Sequence, residues 1–177
     1  TLLECMEWLG LDYDEPVVYQ THNVQKHLEA AEKLLAEGYA YKETEGPKAG
    51  CIFFRMPKEG RLEFEDLVKG RMKKKAEDTQ DFVIVRSDGS PVFHLANVVD
   101  DMLQNITLVI RGDDHVENTF KHIELFKALG YTPPQYAHLP MIVNNMGKPY
   151  SKRDGAAFVG EFREQGYLPE TLFNFLL

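Results

Sequence analysis

Apolar positions along the chain follow two periods. Phe82–Val85 and Ile106–Ile110 are short apolar runs with the β-branched content of buried strands. Between them Ser87-Asp88-Gly89-Ser90-Pro91 reads as a tight turn, and Phe93 to Leu103 spaces its apolar residues to face a sheet. Helical spacing recurs elsewhere. Leu2, Leu3, Met6 and Leu9 precede Gly10, and Phe120, Ile123, Phe126 and Leu129 precede Gly130. Leu28, Ala31, Leu34 and Leu35 form a stripe that Thr21 or Asn23 can cap and Gly38 ends. Pro169 sits where a last helix opens. Tyr39–Tyr41, Cys51–Met56, Leu62–Glu65 and Ala137–Val143 read as strands, so residues 39–80 form a mainly β region between helical parts. The pattern is that of an α/β protein.

Composition narrows the class. Hydrophobic residues make up 44% of the 177 and charged residues 27%, a folded globular balance. No apolar run approaches a membrane span and no signal peptide is present, so no membrane partner is expected. Cys5 and Cys51 make neither a disulfide framework nor a zinc spacing, which fits a reduced, cytoplasmic setting. The net charge of −8 argues against broad nucleic-acid binding. Lys69, Arg71, Lys73, Lys74 and Lys75 crowd one stretch, and a solvated face is the plainer reading of it. The chain opens on an amphipathic helix and closes on Phe173-Asn174-Phe175-Leu176-Leu177, which suggests a fragment of a longer protein.

Familiar nucleotide fingerprints are missing. There is no G-x-G-x-x-G, no phosphate loop, and no G-x-S-x-G elbow. What stands out is Arg111-Gly112-Asp113-Asp114-His115, placed where a strand ends and a helix begins. Open α/β sheets bind ligands there. Arg111 suits a carboxylate through two parallel hydrogen bonds; the competing reading is a structural ion pair with Asp113 or Asp100. Asp100, Asp101, Asp113, Asp114 and His115 could attract a hard cation. Adjacent residues point different ways, however, so no dedicated metal site is expected. His22 and His27, five residues apart, read as surface histidines, and His94, His122 and His138, with no partner pattern, as packing or surface residues. Ser151-Lys152-Arg153 joins an ammonium and a guanidinium in a glycine-flanked loop, a pairing that can neutralise charge on transferring phosphates.

Three ordered motifs carry a resemblance: HLANVVDD at 94–101, VIRGDDH at 109–115 and SKRDG at 151–155. Together they are similar to the bacterial-type glutamyl-tRNA synthetases, class I aminoacyl-tRNA synthetases. The resemblance implies the second half of a Rossmann-type nucleotide-binding catalytic domain, a small β-rich insertion and the start of a helical stem-contact region. The segments are 1–38, 39–80 (a shortened acceptor-binding insertion), 81–130 and 131–177. It implies ATP-dependent activation of glutamate and transfer to tRNA, with Mg2+ accompanying ATP and the full-length enzyme a monomer. Arg111, Asn97 and Phe93 would hold glutamate, although Phe93 stands where the family commonly has tyrosine. Asp114, His115, Ile142, Ser151, Lys152 and Arg153 would contact ATP, and Lys152 with Ser151 would act in catalysis. The signature loop departs from the family at Pro149 and Tyr150. The family's first ATP motif lies before Thr1, so the 177 residues alone are expected not to form adenylate. A paralogue that glutamylates a modified tRNA base, and a non-catalytic tRNA-binding module, are the alternatives.

Overall fold

A computed structural model describes residues 2–14, 16–144, 146–148 and 158–176. The elements are α1 (Leu2–Trp8), α2 (Val24–Ala36), β1 (Ala40–Lys42), β2 (Ile52–Phe54), β3 (Arg61–Asp66), β4 (Gly70–Lys75) and β5 (Phe82–Val85). They continue with α3 (Phe93–Leu103), β6 (Leu108–Gly112), α4 (Val116–Leu129), β7 (Gln135–Leu139), α5 (Val159–Glu164) and α6 (Pro169–Leu176). By compactness the chain forms two units, residues 18–140 and residues 1–17 with 141–177.

The larger unit carries two sheets. One is antiparallel, in the order β1-β2-β5; the other has the order β4-β3-β7-β6. In the second, β3 and β4 form an antiparallel hairpin, while β7 runs parallel to both β3 and β6. The crossover β6–α4–β7 therefore joins parallel neighbours, which a short turn cannot do. The strands of 39–80 make no separate layer. β1 and β2 are completed by β5, and β3 and β4 by β7, all within residues 18–140.

One core serves both sheets. Leu34 of α2, Ile84 of β5, Leu95 and Val98 of α3, and Leu125 of α4 are wholly enclosed. The α4 stripe is buried as its period requires, and Gly130 ends the helix at φ 83°, a conformation other residues resist. β5 is a core strand, as its composition suggests. The second apolar run behaves differently. The strand is Leu108–Gly112 rather than Ile106–Ile110, it lies at the sheet edge, and Ile106, Leu108 and Ile110 are exposed. A short apolar run does not distinguish two-sided burial from an edge strand with one open face.

His27 is not a surface residue: it is 1% exposed, because it shares the α2 stripe with Ala31 and Leu34. Its Nε2 lies 2.8 Å from Asp100 Oδ1 on α3, and the same carboxylate accepts Asn23 Nδ2 at 2.9 Å and Gln20 Nε2 at 3.3 Å. Asp100 thus fastens the start of α2 to α3. Asp100→Ala removes the acceptor of all three donors, the buried His27 among them, and should cost about 2–3 kcal/mol. A urea melt of the variant would read this as a lowered midpoint; an unchanged midpoint would show that the cluster does not hold the helices.

Candidate active site

Arg111 stands near the carboxyl end of β6, with Gly112 between it and a 3-10 turn, Asp113–His115, that leads into α4. Its register partner on β7 is His138, so the two side chains share one face of the sheet. The guanidinium donates through Nε to His138 Nε2 at 3.2 Å and through one terminal nitrogen to Thr119 Oγ1 at 2.6 Å. The same terminal nitrogen reaches the His115 carbonyl at 3.4 Å. The guanidinium carbon sits 5.4 Å from the centre of the Tyr136 ring. Burial pulls the Arg111 pKa down, while Tyr136, Asp101 and Asp114 pull it back up.

No carboxylate among the described residues pairs with Arg111. Asp113 bonds Lys69 at 2.9 Å, and Asp100 is taken by His27, Asn23 and Gln20. The alternative of an internal ion pair with Asp113 or Asp100 is therefore corrected. Adjacent aspartates diverge as elements require. Asp100 faces α2, whereas Asp101, four residues on from Asn97 and eight from Phe93, lies on their side of α3. Burial lifts the Asp101 carboxyl to about 6, against the pull of Arg111 and with a push from Asp100.

Phe93 is 46% exposed and begins α3. Its ring lies 5.7, 6.1 and 5.8 Å from the rings of His94, His115 and His122. His94 Nδ1 and His122 Nε2 are 3.1 Å apart and share one hydrogen bond. Burial, then Lys121 and Arg111, holds His94 down to about 4; burial, then Arg111 and His94, holds His122 down to about 2. Both are neutral at neutral pH. They form a dry aromatic floor beside a cation.

Asp114 is exposed, with its carboxylate 3.7 Å from His115 Nε2. In this rotamer Asp114 Oδ1 lies 2.5 Å from where a β-carbon at residue 112 would come. His115 Nδ1 bonds Asn118 at 2.9 Å. Ile142 is 64% exposed and belongs to the smaller unit. Ser151, Lys152 and Arg153 lie outside the described residues. Among the described residues no group of three or more His, Cys, Asp or Glu could hold a metal.

The basic run is largely neutralised in place. Lys69 pairs with Asp113, Arg71 with Glu63, Lys74 with Glu117 and Lys75 with Glu77. Arg71, Lys73 and Lys75 alternate on the open face of β4, a solvated face. Three residues escaped the pattern reading: Asp66, Thr119 and His138, all at most 2% exposed and all joined to Arg111. A signal existed. Asp66 and His138 fall on the inward phase of strands whose other inward residues are Leu62, Phe64 and Tyr136.

The chain belongs to the class I tRNA synthetases of the E and Q type, catalytic domain, whose family model matches residues 1–49 and 42–177. It is 43% identical to the glutamate–tRNA ligase of Xylella fastidiosa strain M23 and 41% identical to that of Nitrosomonas eutropha. Each match covers 99% of this chain and 45% of the relative, so the chain spans less than half the length of those relatives. A crystal structure of a glutamate tRNA ligase from Elizabethkingia meningosepticum in complex with its amino acid superposes with a TM-score of 0.87. That match is at 26% identity and covers 98% of this chain and 49% of the other. The Xylella match runs over 209 residues against 177 here, and the family match breaks at 42–49. The connector from β1 to β2, with its turn Gly46–Lys48, is where the break falls.

The neutral histidines set a pH dependence. Unfolded, His94 and His122 would take protons near 6.5, which the folded chain refuses until about 4 and about 2. Asp101 acts oppositely, binding a proton at about 6 when folded and at 3.8 when unfolded. At pH 5 the unfolded state gains two protons and the folded state one, so stability falls on acidification. Asp66, held down to about 2, adds a further loss below about pH 4. Urea midpoints should drop between pH 7 and pH 4.5; a rise over that range would contradict the assignment.

Proposed function

We propose that this chain is the part of a glutamate–tRNA ligase that holds the amino acid and contributes to the ATP site. The observation that carries this reading is Arg111, a half-buried guanidinium whose described partners are all neutral. Such a group awaits an anion, and its planar fork fits a carboxylate through two bonds. Glutamate differs from neutral amino acids by one carboxylate, so the fork supplies selectivity as well as affinity. Asn97 lies on the same side of α3, and Phe93 forms the pocket wall through its ring. The lack of a hydroxyl at Phe93 leaves Arg111 as the main determinant.

Asp114 and His115 meet ATP from the 3-10 turn that leads into α4, where the helix dipole favours phosphate. Ile142, Ser151, Lys152 and Arg153 are the further ATP contacts that the family resemblance implies. Mg2+ enters as part of the ATP substrate. Asp113 and Asp100 already have cationic or donor partners. The glutamate α-carboxylate attacks the α-phosphorus in line; the bond to pyrophosphate breaks and glutamyl-adenylate forms. A terminal ribose hydroxyl of tRNA then attacks the carbonyl carbon and AMP leaves. No protein nucleophile takes part; positioning and charge carry the rate.

The enzyme works as a monomer in the cytoplasm, a setting supported by two free cysteines, Cys5 and Cys51. No helix among the described residues is long and apolar enough to cross a membrane. The segment 39–80 reaches the tRNA acceptor end through a shortened connector.

In the complete gene product, Arg111→Ala should raise the KM for glutamate and lower kcat/KM by about 30- to 1,000-fold, with the KM for ATP nearly constant. Unchanged glutamate kinetics in a folded variant would remove Arg111 from the substrate site. Lys152→Ala should instead lower kcat for adenylate formation by about 100-fold or more, because its charge is met in the transition state. ATP–pyrophosphate exchange reads this directly. A raised ATP KM with normal kcat would make Lys152 a ground-state binder.

A further inference from the structure

Behind Arg111 lies a chain of buried polar groups that the substrate does not reach. Asp66, the last residue of β3, is 2% exposed and yet charged: burial raises its pKa, but His138 and three backbone N–H groups pull it down to about 2. Its Oδ1 accepts the N–H of Val68 at 3.0 Å, of Lys69 at 2.9 Å and of His138 at 3.2 Å. Its Oδ2 lies 2.5 Å from His138 Nδ1. His138 is fully enclosed, between the stacked ring of Tyr136 and that of Phe64.

Chemistry fixes the protons. A guanidinium only donates, so the 3.2 Å contact from Arg111 Nε requires a lone pair on His138 Nε2. The imidazole proton is then on Nδ1 and points at Asp66. Thr119 Oγ1 accepts from Arg111 at 2.6 Å and can donate its own hydrogen to His138 Nε2 at 3.0 Å or to the His115 carbonyl at 3.3 Å.

We propose that Asp66 and His138 are positioning residues for the substrate arginine: Asp66 selects the Nδ1–H form of His138, whose Nε2 fixes the plane of the Arg111 guanidinium. The negative charge stands one imidazole away from Arg111. It orients the arginine without neutralising it, and the fork stays free for a carboxylate. A direct Asp–Arg pair would have occupied the fork. This inference rests on the reading of Arg111 as the group that receives the glutamate side chain.

Asp66→Asn tests it with little change of shape. The three backbone N–H groups hold the amide oxygen at Oδ1, so the amide NH2 faces His138. The imidazole must then accept at Nδ1 and carry its proton on Nε2, aimed at the Nε–H of Arg111. Two-bond 15N–1H correlation spectra of the histidine rings should show His138 as Nδ1–H in the parent and Nε2–H in the variant. In the complete gene product the glutamate KM should rise about 10- to 100-fold while the ATP KM stays within about twofold. Adding His138→Gln should recover part of that loss, because a carbamoyl oxygen accepts from Arg111 and has no tautomer to lose. A His138 that stays Nδ1–H in Asp66→Asn overturns the relay. A tautomer switch with an unchanged glutamate KM overturns its role in binding. If Arg111→Ala also leaves glutamate kinetics untouched, the substrate assignment fails, while the tautomer measurement still judges the Asp66–His138 pair.

Discussion

A half-buried guanidinium must be hydrogen-bonded to be tolerated, and it must lack a carboxylate partner to receive one from a ligand. These demands conflict, and much of the larger unit reads as their resolution at Arg111. Neutral acceptors meet the first demand: an imidazole on β7, a hydroxyl on α4 and a main-chain carbonyl in the turn between. The sheet order makes this possible. β3, β7 and β6 are consecutive, so Asp66, His138 and Arg111 line up across three neighbouring strands. The parallel β6–α4–β7 crossover brings Thr119 over the same spot. Remove the parallel pairing and the three groups belong to different places.

The second demand is met by occupying the acids nearby. Asp113 is held by Lys69 from the β3–β4 hairpin, and Asp100 by His27 from α2. Asp66 keeps its charge but turns it toward an imidazole and three backbone donors. A chain with 28 acidic and 20 basic side chains thereby keeps Arg111 unpaired by any described carboxylate. The two dry histidines, His94 and His122, add a neutral floor that neither competes with nor cancels that charge.

Much of the fold was legible because period follows burial. The α4 stripe, the core strand at Phe82–Val85 and the strand-to-helix break at Arg111 were all written in spacing. The site was legible in its first layer only. Arg111 announces itself by charge after an apolar run, whereas Asp66, Thr119 and His138 are single polar residues in separate apolar segments. Nothing local tells a buried histidine from an exposed one. His27 shows the same blindness, since it sits on a helical stripe that apolar residues define. The edge position of β6 was hidden for a different reason: exposure at a sheet margin depends on which strands are neighbours, and topology is not a property of any one run. The charged stretch on β4 was readable as a solvated face, but its pairing with Glu63 and Glu117 comes from hairpin register and from α4, both long-range.

The central claim is that Arg111 is kept unpaired in order to take a side-chain carboxylate. The most direct measurement is an arginine-selective 15N NMR titration of the complete gene product, with Arg111→Lys used to assign the Nε–H resonance. Added glutamate should shift the Arg111 Nε–H signal in a saturable manner, and glutamine at equal concentration should leave it in place or move it far less. Equal shifts from both amino acids, or glutamate binding that leaves the Arg111 signal unmoved, would contradict the account.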